Sequence, residues 1–138
     1  AELTHADFTE SYQVNVIGIM EATQALLPRL AKQAHIVNIS SMGGFQGSLK
    51  FAGLAAYSTS KAALCAFTEL FAEEYKRTQW QMNCLCLGAV QTEMLEAAFP
   101  GYIAPTQPAQ MAQFIADFAL HSGAFMNGKI IPVSSSNP

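Results

Sequence analysis

Tyr57 and Lys61 stand four residues apart in the run Ala55-Ala56-Tyr57-Ser58-Thr59-Ser60-Lys61. On a helix, residues i and i+4 share a face, so the spacing sets an ammonium beside a phenol. A free phenol titrates at about 10 and is nearly inert as an acid or base near neutrality. A neighbouring cation favours the phenolate and lowers that value. Such a pair is the acid/base half of a carbonyl–alcohol interconversion. Taken alone, the spacing also recurs on solvated helix faces. Its meaning depends on what surrounds it.

Upstream lies Ile36-Val37-Asn38-Ile39-Ser40-Ser41-Met42-Gly43-Gly44, an apolar strand that ends in two serines and two glycines. Further upstream is Val14-Asn15-Val16-Ile17-Gly18, and downstream is Asn83-Cys84-Leu85-Cys86-Leu87-Gly88-Ala89-Val90-Gln91-Thr92. These segments, in this order, resemble the short-chain dehydrogenase/reductase family. They look like its serine-bearing fifth strand, its Asn-Val-x-Gly element and its Asn-x-x-x-Pro-Gly-x-x-x-Thr segment. Leu87 stands in place of the proline, and the tail Val133-Ser134-Ser135-Ser136 lacks the glycines usual at the family's end. The resemblance runs from about Asp7 to Val133. The family's Thr-Gly-x-x-x-Gly-x-Gly turn has no counterpart here, because Gly43, Gly44 and Gly47 follow Ser41 and lie in the wrong place. The resemblance therefore implies the C-terminal, catalytic half of such an enzyme.

The chain has 138 residues, which suggests one domain. It is 51% hydrophobic but only 12% charged, about half the usual charged fraction. A half-domain is expected to show that bias, since faces that normally meet the other half stay apolar. No apolar run approaches the roughly 18 residues that span a bilayer, and no signal peptide is visible. A net charge of −3 without a basic cluster argues against nucleic acid as a partner. Cys84 and Cys86 alternate on one strand face; with Cys65 they read as small buried hydrophobes in a reducing, cytoplasmic compartment. A metal site would need two further ligands beside that pair, and the spacing shows none. His5, His35 and His121 are scattered, and none is assigned a catalytic role.

The chemistry must be carried by elements that hold it in place. Asp7 to about Leu27 reads as a helix capped by Thr4 or Asp7, with Val16, Ile19, Met20, Thr23 and Leu27 at helical spacing. Ala34–Ser40 is a buried strand, and residues 43–54 form a glycine-bearing loop. Ala55 to about Arg77 is a long helix, Met82–Leu87 a strand, Thr92–Pro100 a short helix, Ala109–His121 a helix and Lys129–Val133 a third strand. Residues 101–108, with two prolines, are expected to be a mobile surface segment. Strands alternating with crossover helices imply a parallel sheet. The expected fold is therefore α/β: a partial Rossmann-like doubly wound sheet of three strands with helices on both faces, residues 1–138 forming a single half-domain. Its first strand is expected to have an open edge. The two long helices resemble the pair through which the family forms dimers, which implies a homo-oligomer.

Ligands of open parallel sheets bind beyond the carboxyl ends of the strands. The resemblance implies that Tyr57 exchanges a proton with a small-molecule carbonyl or alcohol substrate. It implies that Lys61 lowers the Tyr57 pKa and binds the ribose of NAD or NADP, that Ser41 polarises the substrate oxygen, and that Asn15 holds a water linking Lys61 to solvent. Gly88, Val90 and Thr92 would meet the nicotinamide. Each has an alternative: Ser40 in place of Ser41, a bend explaining Asn15 in mid-helix, or a capping role for Thr92. Asn38 and Asn83 read as structural, binding backbone groups. Residues 43–54 and 93–107 would shape the substrate pocket; Met42, Phe45, Leu49, Phe51, Met94, Leu95, Phe99 and Tyr102 suggest a bulky apolar substrate, or simply pack. Two other readings stay open: a non-enzymatic half-fold that pairs through its open edge, and a complementing fragment active only with a separate N-terminal half. Without a glycine turn at a helix N-terminus for pyrophosphate, the chain alone is expected to bind dinucleotide weakly.

Overall fold

Thr4 starts the first helix. In the computed structural model, which describes residues 3–135, its hydroxyl accepts from the Asp7 amide while the Asp7 carboxylate accepts from the Thr4 amide at 2.7 Å. Two amide groups left over at the helix start are satisfied reciprocally. Those bonds hold the Asp7 carboxyl below its ordinary value. Helix α1 (His5–Tyr12) passes without a break into a π turn (Gln13–Ile17) and then helix α2 (Gly18–Leu26). The one helix expected from the sequence is thus a continuous run interrupted by a wider turn. It closes on a 3-10 turn containing Pro28.

Strand β1 (Gln33–Ser41) leads through a 3-10 turn (Met42–Gly44) and a loop to helix α3 (Ala55–Glu74). Ala56, Ser60, Leu64, Thr68 and Phe71 form the buried stripe of α3 at helical spacing. The helix ends three residues earlier than expected, where Tyr75 stacks on Phe71 at 4.6 Å between ring centroids and on Trp80 at 5.4 Å. Trp80 in turn donates its indole N–H to the Ala31 carbonyl at 2.9 Å. Strand β2 (Gln79–Leu87), the short helix α4 (Glu93–Ala98), helix α5 (Pro108–His121) and strand β3 (Ile130–Val133) complete the order.

The three strands form one parallel sheet in the order β1-β2-β3. Among the described residues β1 has no partner on its outer edge, as the sequence suggests. Side-chain alternation sorts the two faces. Asn38 and Ser40 of β1 and Met82, Cys84 and Cys86 of β2 turn toward α3. There the Asn38 amide donates to Thr68 Oγ1 at 3.0 Å and Ser40 Oγ donates to the Lys61 carbonyl at 2.9 Å. On the other face His35 donates through Nδ1 to the Ala119 carbonyl of α5 at 3.0 Å, which leaves Nε2 to accept from the Asn83 amide at 2.9 Å. Helices therefore cover both faces, and the fold is the three-stranded Rossmann-like α/β arrangement.

Two expectations are corrected here. Asn83 does bind backbone, at Met126 and Lys129, but the Asn38 amide is bonded to side chains, Thr68 and the Met82 sulfur. The segment 101–108 is not a free surface loop. Ala104 is buried, its amide donates to Gln91 Oε1 at 2.7 Å, and the Thr106 carbonyl accepts from the Gln91 amide at 2.9 Å. No helix among the described residues is long and apolar enough to cross a membrane.

Candidate active site

The register of the sheet aligns Ser41 of β1 with Leu87 of β2, and Leu87 with Val133 of β3. Three strands thus end in one row, and the chain leaves each of them on the rim where such sheets take ligands. Ser41 keeps extended backbone and then caps the turn that follows, its Oγ accepting from the Gly43 amide at 3.1 Å. Ser40 is buried and occupied with the Lys61 carbonyl, so of the two serines it is Ser41 that faces the rim.

Two glycines bring the turn onto α3. A Cβ at Gly44 would stand 2.6 Å from the Lys61 carbonyl carbon and 2.7 Å from the Ala62 nitrogen. Only a residue without a side chain allows the turn to lie that close to the helix backbone. At Gly43 a Cβ would lie 3.5 Å from Ser41 Oγ and 3.8 Å from Tyr57 Cε1. The serine hydroxyl and the phenol ring therefore flank the same glycine.

Lys61 follows one turn after Tyr57. Its Nζ lies 5.9 Å from the Tyr57 ring centroid and donates to the Ile39 carbonyl at 3.1 Å. Burial holds this lysine below its ordinary 10.5, partly opposed by the sulfurs of Cys84, Cys65 and Cys86. Asn15 sits in the π turn, and its amide donates to Ser60 Oγ at 3.0 Å; Ser60 Oγ donates to the Tyr57 carbonyl at 2.8 Å. Asn15 thereby reaches the helix at the residue preceding Lys61. π turns are rare and concentrate at functional sites, and here one carries a residue whose place in mid-helix propensity disfavours.

On the β2 side the Gly88 amide donates to the Val133 carbonyl at 2.9 Å. Val90 bridges to Thr106, and Thr92 caps α4 by accepting from the Leu95 amide at 3.2 Å. Leu87 continues the strand where the family pattern has proline. The turn beyond it is held by Gln91, clamped to Ala104 and Thr106 from both its side chain and its backbone. Sequence reasoning missed Gln91, since its partners lie in a segment that seemed free. Phe51 meets Phe99 edge-on at 5.7 Å, which joins the loop before α3 to the end of α4 above the rim. Met42 and Phe45, for which a pocket wall and simple packing were both open, pack in a buried cluster with Cys65, Cys84 and Cys86. In it Cys65 of α3 joins the pair on β2, a third sulfur that its distance in sequence concealed.

The sequence profile of the short chain dehydrogenases matches residues 1–102. A 3-oxoacyl-[acyl-carrier-protein] reductase of Aquifex aeolicus is 38% identical over 90 residues, covering 64% of this chain and 35% of that protein. A short chain dehydrogenase of Salmonella enterica serovar Typhi superposes with a TM-score of 0.84 at 29% identity, over 95% of this chain and 54% of that one. A putative short chain dehydrogenase of Escherichia coli CFT073, solved with NADPH, gives 0.82 at 29% identity, over 95% and 55%. The chain spans only about a third to a half of the length of the curated relatives it matches. With its profile and its fold in agreement, this chain belongs to the short-chain dehydrogenase/reductase family.

Proposed function

We propose that this chain is the catalytic half of an NAD(P)-dependent oxidoreductase that interconverts a ketone and an alcohol. The observation that carries the reading is the meeting of Ser41, Tyr57 and Lys61 around Gly43 and Gly44 at the strand ends. Tyr57 gives its phenolic proton to the substrate oxygen in reduction and takes it back in oxidation. Ser41 donates a hydrogen bond to the same oxygen, a preorganised dipole where charge develops. Lys61 stabilises negative charge on the phenol oxygen as its proton leaves, and Asn15 holds the water through which Lys61 exchanges protons with solvent.

The residues present suit the nicotinamide end of the dinucleotide. Lys61 uses one donor on the Ile39 carbonyl, and an ammonium has three, which leaves donors for ribose hydroxyls beside Tyr57. Gly88, Val90 and Thr92 line the β2 exit where the carboxamide would lie. When bound, the nicotinamide supplies or accepts the hydride. The pyrophosphate end finds no glycine turn among these 138 residues, so residues 1–138 form one half of the dinucleotide-binding domain, complemented by a half that carries it. A second reading, a half-fold that pairs with itself or a partner, is favoured by the open edge of β1 and the exposed Val14, Ile17 and Leu26.

Calorimetric titration of NADH and NADPH into the 138-residue chain separates the cases. The expected result is no binding in the low-micromolar range. A low-micromolar dissociation constant that weakens in Tyr57→Phe and Lys61→Ala would mean that the whole cofactor site is assembled without the glycine turn, and would overturn the half-site reading. Mixed with a relative's N-terminal half, the chain is expected to turn over a ketone with NAD(P)H. There Tyr57→Phe should lower kcat by about 10²–10⁴-fold; an unchanged rate would remove Tyr57 from the chemistry.

A further inference from the structure

Behind the catalytic helix lies a second cluster of reactive groups that the proposed reaction does not use. Cys65 of α3 faces Cys84 and Cys86 of β2, all three free thiols in the core. The Cys65 sulfur is 3.6 Å from that of Cys86 and 4.0 Å from that of Cys84, and all three sulfurs fall within 4.8 Å of one another. Met42 belongs to the same buried cluster, with Phe45 and Ile130 packed against it.

These distances match a coordination sphere. With a metal–thiolate bond of about 2.3 Å, three sulfurs around a trigonal ion stand about 4.0 Å apart. Backbone geometry prepares the arrangement: Cys84 and Cys86 are two apart on a strand, so both point to one face, and α3 crosses that face with Cys65. The donor set also selects the ion. Structural zinc takes four ligands from Cys, His or carboxylates, and among the described residues no His, Asp or Glu joins the three sulfurs. Soft thiolates with a thioether favour monovalent copper, which is stable with three sulfurs. Three thiolates leave a copper(I) site negative, and the Lys61 ammonium that borders the pocket offsets part of that charge.

We propose that Cys65, Cys84 and Cys86 form a buried three-sulfur site for copper(I), with Met42 as a fourth soft neighbour. Binding exchanges thiol protons for the ion: each coordinating thiol releases one proton to solvent, and copper stays monovalent throughout. The site ties α3 to β2 at the turn that follows Lys61.

The test is an anaerobic titration of the chain with copper(I), supplied as its acetonitrile complex, against bicinchoninate. One copper per chain retained against the chelator, with a new ultraviolet sulfur-to-copper band, is the expected result. Cys65→Ser, Cys84→Ser and Cys86→Ser should each weaken retention at least tenfold. Since a core serine can unfold the chain, X-ray absorption at the copper edge of the unaltered protein gives an independent reading. A shell of three sulfurs at about 2.3 Å supports the site. A shell of nitrogen or oxygen, no retention against the chelator, preference for zinc(II), or equal affinity in a folded serine variant would overturn it.

Discussion

Lys61 shows how one side chain serves two demands. Its ammonium is drawn out of water beside Tyr57, and burial holds its pKa below 10.5. The unfolded chain keeps that proton to higher pH than the folded one. Between the two values the unfolded state binds more protons, so this residue makes stability rise with pH there. The cost of burying the charge is fully present at neutral and acid pH and fades as pH climbs toward 10.5. Lys61→Met keeps the length of the side chain and removes the charge. The variant's stability relative to the parent should be highest near neutrality and fall back as pH rises, read from urea midpoints across the alkaline range. A gap independent of pH would show that the ammonium is not desolvated. The Tyr57–Lys61 pair was legible in the sequence because i and i+4 on a helix need no tertiary knowledge. Ser41 was legible as a strand end. The bond from Asn15 to Ser60 was not, since it joins residues 45 positions apart through a turn that no local rule announces.

At the scale of the element, the turn after β1 and the π turn fix where those residues stand. Gly44→Ala would force a methyl into the backbone of α3 at Lys61 and Ala62. Overpacking of this kind costs about 1–3 kcal/mol, and the neighbour is main chain with little room to give. The expected result is a loss of that size in denaturant unfolding; an unchanged midpoint would mean that turn and helix can separate freely. The π turn holds one residue more than an α turn. Deleting Val14, an exposed residue within it, should restore a regular α-helix with α1 and α2 still in phase, because the wide turn absorbs the extra residue, and should rebuild the turn that carries Asn15. The bond from Asn15 to Ser60 would then be lost, and thermal stability should fall; equal stability would show that the extra residue positions nothing. All three strands and four of the helical segments were legible from periodicity and β-branched runs, their ends shifting by at most three residues. The pinning of 101–108 was not, because its bonds come from the Gln91 side chain and not from anything within the segment.

For the whole molecule the decisive fact is an open side. Among the described residues β1 presents an unpaired edge, and Val14, Ile17, Met20 and Leu26 stand exposed on the helical run. Edges and apolar faces of this kind recruit partners. The chain alone should self-associate, with a light-scattering mass that rises with concentration; a monomer at high concentration would show that these faces tolerate water. The low charged fraction hinted at this from composition alone, whereas which faces are bare depended on the packing of α1 and α2 against α3 and was not readable from spacing. The parallel order of the sheet has a consequence in time. Ser41 and Gln79, the end of β1 and the start of β2, are 79 − 41 = 38 positions apart, and Leu87 and Ile130 are 130 − 87 = 43 apart. Each pairing must close a long stretch of chain before any ladder bond rewards it, while α3 can coil within about a microsecond. A newly made chain therefore carries a finished α3 for some while before it has a sheet to lay it on, and in that interval every strand is an edge.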